Sequence, residues 1–200
     1  NPSFALALEL RNQAQAQALV EAFVDAPPEL VASIRKFFAL AERGRREWLR
    51  DKARIAELVA TLQKETEPQR QMLAIAELRT AGQHAVPPLF EALKKSSQKT
   101  RTTIDMALMA CGPSAVLPLC ECLNISDDLL KLEVMFILGE IKDARALPAL
   151  AAVAAGNALP AVKEGAIDAM KKIAGAQMKP APVYFLEQAR AYYRATDEVL

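Results

Sequence analysis

Pro88, Pro118 and Pro148 fall at intervals of 30 residues, each inside the same short cassette. The cassettes are Ala85-Val86-Pro87-Pro88-Leu89, Ala115-Val116-Leu117-Pro118-Leu119 and Arg145-Ala146-Leu147-Pro148-Ala149. A fixed period of this length marks an array of one supersecondary unit, because a single unit cannot bury its apolar face alone and must stack on copies of itself. Arrays of this kind act mostly by offering a long surface to a partner.

Superposing residues 71–95, 101–125 and 131–155 gives columns of matching character. Leu78, Leu108 and Leu138 coincide, as do Val86, Val116 and Ala146. Phe90, Cys120 and Leu150 form another column, Leu93, Leu123 and Val153 a fourth, and Ala81, Cys111 and Ile141 a fifth. Within a copy the apolar spacing is helical: Ile104, Leu108 and Cys111 follow i, i+4, i+7, and so do Val134, Leu138 and Ile141. Each copy therefore reads as two helices. The first ends near Gly82, Gly112 or Lys142, where glycine supplies the positive φ of a helix terminus. The second starts around residue 84, 114 or 144. Its proline falls in the first turn, where the missing N–H has no intrahelical partner to lose.

The pattern extends both ways. Val162–Ile173 matches Leu130–Ile141 with a shift of 32, and the two extra residues fit the loop Gly156–Pro160. Backward, Ile55, Leu58, Val59 and Leu62 match Val86, Leu89, Phe90 and Leu93 with a shift of 31, which predicts the second helix of a diverged earlier repeat. Its first helix is expected over Pro28–Arg43, and one more over residues 4–24, stopped by Pro27-Pro28.

The run Val86–Leu93, the block Gly112–Leu119 and the stretch Leu138–Leu150 resemble HEAT-like repeats, of the short variety found in phycobilisome lyase subunits and bacterial scaffold proteins. The resemblance covers about residues 55–175 and is specific for fold rather than function, since unrelated activities share this repeat. It implies an all-α, right-handed solenoid of helical hairpins, an armadillo-like superhelix. Extra N-terminal helices are expected over residues 1–54, and over residues 176–200 a C-terminal helix that either caps the stack or begins a following module. It also implies that the second helices line the concave side.

Net charge is +1, which supplies no global attraction to nucleic acid or membrane. Residues 1–101 carry 16 Lys/Arg against 12 Asp/Glu, and residues 102–200 carry 9 against 12. The basic excess concentrates between Arg35 and Arg54. Trp48 stands among its densest arginines, with Phe37 and Phe38 before them, and the run reads as a solvated helix surface rather than a base-stacking platform. No apolar run reaches membrane-spanning length. The chain opens on Asn1 and ends without a helix stop, and is read as a bacterial-type segment of a larger protein; its free thiols favour a reducing, cytoplasmic compartment.

Candidate chemistry is sparse. Cys111, Cys120 and Cys122 stand in columns occupied elsewhere by Ala, Ile, Phe and Leu, so they read as packing residues. Cys120 and Cys122 lie two apart on one helix and project about 200° apart, a poor arrangement for holding one ion. His84, the only histidine, aligns with Ser114 and Ala144 and reads as a surface or capping residue. The carboxylates read as exposed helical positions, with Glu91 and Glu121 in one column. Trp48 reads as continuing one apolar stripe with Ile55, Leu58 and Leu62 along a single helix. No catalytic residue, metal ligand or cofactor is expected.

The outward positions of the second helices grade along the chain. Glu91, Lys94 and Lys95 become Glu121, Asn124 and Ile125, then Ala151, Ala154 and Ala155. An exposed alanine face invites a cover: either the C-terminal segment folds over it, capped by Tyr184, Phe185, Tyr192 and Tyr193, or a partner binds there. The expected function is a non-catalytic scaffold that binds a protein partner through Glu91, Lys94, Lys95, Glu121 and Asn124. The alternatives are an enzyme subunit or chaperone of the bilin lyase type, a nucleic-acid-binding HEAT-like protein, and a structural spacer.

Overall fold

The computed structural model describes residues 28–197. The helix expected over 4–24 lies outside them. The protein is all-α: every regular element among the described residues is an α-helix or a short 3₁₀ turn. The chain divides into two compact units, Asn1–Arg54 and Ile55–Leu200.

In the first unit α1 spans Pro28–Leu49, six residues beyond the Arg43 end read from the sequence. The expected single stripe through Trp48 is broken. The chain turns at Arg50, and the carboxylate of Asp51 accepts the backbone N–H groups of Ala53 (2.9 Å) and Arg54 (3.2 Å). That is an N-cap, which satisfies amides that a helix start would leave orphaned. It starts α2, Lys52–Lys64, as a separate helix. Trp48 is therefore a half-buried residue near the end of α1, with the Arg54 guanidinium 3.6 Å from its ring centroid. That is a cation–π contact rather than core packing.

In the second unit, Ile55, Val59 and Leu62 of α2 are buried. There follow α3 (Pro68–Ala81), α4 (Val86–Lys95), α5 (Gln98–Ala110), α6 (Val116–Glu121), α7 (Asp128–Ile141), α8 (Leu147–Ala155), α9 (Pro160–Ala174) and α10 (Ala181–Asp197). The first helix of each pair stops at the position the alignment marks. Gly82 takes φ 55°, Gly112 φ 58° and Gly175 φ 54°. Lys142 takes φ 57° and ψ 38°, the left-handed region, and its N–H donates to the Leu138 carbonyl at 3.2 Å. A side chain there costs on the order of 1 kcal/mol relative to glycine. The chain then enters each second helix through a 3₁₀ turn: Gly82–Ala85, Gly112–Ala115 and Ala144–Ala146. The starts expected near 84, 114 and 144 fall inside those turns, and the α-helical starts come two or three residues later.

Helices α3, α5, α7 and α9 pack in succession, and α4, α6 and α8 pack against α5, α7 and α9 respectively. Leu78, Leu108 and Leu138 have no exposed surface, nor do Val86, Val116 and Ala146. Burying a leucine side chain stabilises by about 2 kcal/mol, so these columns hold successive pairs together. The columns fade at their ends: Cys120, Ile141 and Val153 are only half-buried. α7 and α9 approach closely because glycine stands between them. A Cβ on Gly139 would lie 3.2 Å from the Ala169 Cα, and one on Gly165 would lie 2.5 Å from the Leu132 Cδ2.

The graded alanine face is partly overturned. Ala151 is fully buried, because α8 packs against both α9 and α10. Ala154 is half-buried and Ala155 exposed. In α10, Tyr184 is buried and its hydroxyl accepts the Lys179 N–H at 2.8 Å. The other two described aromatic side chains do not cap the stack: Phe185 is 41% exposed and Tyr193 71% exposed. Among the described residues no single helix is long and apolar enough to cross a membrane.

Candidate functional site

The expected binding residues lie on the second helices α4 and α6 and on the short 3₁₀ turn Cys122–Asn124 that ends the latter. All five are exposed. Lys94 Nζ donates to Glu91 at 2.6 Å and sits 4.8 Å from the Phe90 ring centroid. That hydrogen bond, with the positive charge of Lys94, holds the Glu91 carboxyl below its ordinary range. The half-buried thiol of Cys122 lies within the fields of Lys94, Glu121 and Glu91, which draws those three charges into one patch. Lys95 and Asn124 stand outside that set.

The chemistry concentrates one copy further on. Asp143 accepts the Arg145 backbone N–H at 2.9 Å and binds the Arg145 side chain through two bonds, Nε at 2.9 Å and Nη2 at 2.7 Å. The fork geometry of guanidinium against carboxylate explains why the Asp143 pKa is held low and the Arg145 pKa raised. The same Nη2 donates to the Pro113 carbonyl at 2.6 Å. Arg145 thus ties the turn before α8 to the turn before α6.

Around Arg145 lies a groove with two lobes. One lobe, of about 710 Å³, has Leu117, Pro118, Pro148, Ala149 and Val153 among its apolar walls, and Glu121 and Asn124 among its polar residues. The other, of about 660 Å³, runs along α10 past Ile173, Ala174 and Tyr184. Leu117, Arg145, Pro148 and Gln188 line both lobes. Leu117 is 53% exposed at their junction. Two of the five expected residues, Glu121 and Asn124, therefore line a groove, whereas Glu91, Lys94 and Lys95 do not. Sequence reasoning missed Arg145 and Gln188. The signal for Arg145 was available: it replaces Ala85 and Ala115 in the column just before the second helix.

The thiols behave as packing groups. Cys111 is buried and its Sγ lies 3.7 Å from the Leu78 carbonyl. Burial pushes the Cys111 thiol up to about 11, and burial with the nearby charges of Glu121 and Asp143 pushes Cys120 to about 11. Neither is a ready thiolate. Among the described residues no group of three or more His, Cys, Asp or Glu is placed to hold a metal ion. His84 is half-buried in the turn before α4. In the first unit, Glu42 binds Arg45 through two hydrogen bonds and lies near Arg46, which offsets part of the basic run.

The reading of the carboxylates as exposed helical positions is wrong for six described ones, Glu42, Glu65, Asp105, Asp128, Glu133 and Asp143, which are half-buried, and two of these have raised pKa values. Asp105 on α5 and Glu133 on α7 are half-buried, each acts on the other's ionisation, and one buried oxygen of each, Asp105 Oδ1 and Glu133 Oε2, has no hydrogen-bond partner. Arg101 Nη1 reaches Glu133 Oε2 at 3.3 Å. The chain matches no family model and no curated protein.

Proposed function

We propose that this chain is a non-catalytic protein-binding scaffold, a right-handed solenoid of HEAT-like hairpins whose second-helix side presents the docking surface. The observation that supports it is the two-lobed groove around Arg145. Its apolar walls of leucine, proline and alanine give up hydration when covered. Its polar groups, Glu121, Asn124, Arg145 and Gln188, fix direction and register. A groove lined by residues of α6, α8 and α10 suits an amphipathic helix or an extended apolar segment of another protein. The Glu91–Lys94 patch on α4 would form a polar rim, where charge sets the rate and specificity of encounter more than affinity.

Site-specific photocrosslinking tests this reading. A photoreactive residue at Leu117 or Gln188 should capture a discrete protein partner in cells. The same probe at Leu73 on α3 should not. Arg145→Glu should weaken capture at least tenfold. Equal capture from all three positions, or capture indifferent to Arg145→Glu, contradicts the proposal.

A further inference from the structure

Asp105 occupies a column that is otherwise apolar. Its equivalents in the neighbouring first helices are Ile75, Met135 and Ile167, of which Ile75 and Met135 are buried. A carboxylate set in a core column costs stability unless something compensates its charge. What acts on it across the junction is a second half-buried carboxylate, Glu133, whose Oε2 is likewise buried with no hydrogen-bond partner. Two ionised carboxylates repel and neither can donate, so a shared proton is what would satisfy both buried oxygens. Arg101, one turn before Asp105, pairs with Glu133 at 3.3 Å and lies 3.5 Å from the Leu93 carbonyl. Asp105 Oδ1 is buried with no hydrogen-bond partner of its own.

We propose that Asp105, Glu133 and Arg101 make the α5–α7 junction a proton-operated latch, closed while the carboxyls share a proton and loosened when both are ionised. The latch joins two successive hairpins, so its release would let the array flex at its middle while the junctions on either side, which hold no such carboxyl pair, stay closed.

The electrostatic surroundings support the working range. Burial chiefly, with the charge of Glu133, raises Asp105 to about 6, against the opposing charge of Arg101. Burial also raises Glu133, with Asp127 adding to the effect and Arg101 opposing it. Helix α5 packs against α3, α4 and α7. The charged residues of α3 (Arg70, Glu77, Arg79) and of α4 (Glu91, Lys94, Lys95) are exposed, and none is among the groups that shift either carboxyl. On α7, Asp128 is paired with Lys131.

The sign follows from linkage. A carboxyl whose folded pKa is raised binds its proton more tightly in the folded state, so its stabilisation is full below the unfolded value and fades as pH rises through about 6. Carboxylates held low by a partner, such as Asp143 and Glu140, act oppositely and lose their contribution only on strong acidification. The informative window is therefore pH 5 to 7.5.

Thermal unfolding of the full chain across that window should show Tm falling by roughly 3–6 °C as pH rises. Asp105→Asn should abolish most of the fall, because an amide offers Glu133 a donor without titrating. Asp105→Ile, which restores the column residue, should abolish it too, so a folding defect in one variant leaves the other as the test. Arg101→Gln should move the midpoint to higher pH by removing the opposing cation. Histidine as a residue type titrates in the same window, so His84→Gln serves as the control and should retain the fall. The proposal is overturned if both Asp105 variants keep the wild-type pH profile, if His84→Gln removes it, or if carbon NMR finds Asp105 titrating at the ordinary aspartate value.

Discussion

The junction between α5 and α7 and the one between α7 and α9 are successive seams of the same array, built from the same columns, yet they are made in opposite ways. The α7–α9 seam is close and apolar at its centre, with its ion pair, Glu140–Lys172, at the exposed edge. Gly139 brings α7 to within van der Waals reach of the Ala169 backbone, and Met135, Leu138, Ala166 and Met170 close over it. The α5–α7 seam carries Asp105 where Ile75, Met135 and Ile167 stand in the other first helices, with Arg101 and Glu133 beside it. The two seams involve different pairs of helices, α5 with α7 and α7 with α9. One polar junction weakens one interface and leaves the rest of the stack intact.

The sharpest way to break the contrast is to spoil the close seam. Gly139→Val should destabilise by about 2–3 kcal/mol, since a branched side chain must push against Ala169 backbone rather than a yielding tip. Chemical denaturation reads this directly. Gly165→Ala serves as its internal reference and should cost far less, because the added Cβ meets only the flexible end of Leu132. Next in size is Gly82→Ala, expected to lose about 1–2 kcal/mol. Its φ of 55° is unsuited to alanine, and the new Cβ would lie 2.8 Å from Ser114 Oγ. Gly112→Ala carries the same backbone cost with open space around it, and should lose less. The polar seam can then be made to resemble its neighbour: Asp105→Ile should raise Tm at pH 7.5 by roughly 2–5 °C and change little at pH 5. The smallest expected effect is a gain. Lys142→Gly, which restores the glycine column at the end of α7, should stabilise by about 0.5–1 kcal/mol by removing a left-handed lysine. A loss instead would mean that the lysine side chain contributes contacts of its own.

Much of the fold was legible because the columns are local statements repeated four times. The leucines at 78, 108 and 138 are fully buried, and the helices stop at Gly82, Gly112 and Lys142 as the register requires. What escaped the sequence depends on pairings across copies or on capping detail. The stripe through Trp48 and Ile55 looked continuous because both residues are apolar, but the Asp51 carboxylate starts a new helix between them. Ala151 looked outward by analogy with Glu91 and Glu121, yet α10 and α9 enclose it. Asp105 was readable in principle, as an acid in a column of Ile and Met, but only its partner on α7 reveals why it is tolerated. The groove around Arg145 requires α10, which has no counterpart among the repeats to compare with.

Across the segment Gly156–Leu159 between α8 and α9 the register advances by 32 residues rather than 30, while Val162, Ala166 and Met170 beyond it remain buried. The spacer has therefore already been lengthened once without disturbing the register of the core. Gly156, Asn157 and Leu159 leave that strip of backbone largely at the surface. It is the place at which this chain could be nicked by a protease, carry an inserted tag or reporter, or be rejoined as a circular permutant, with the hairpins on either side still finding one another.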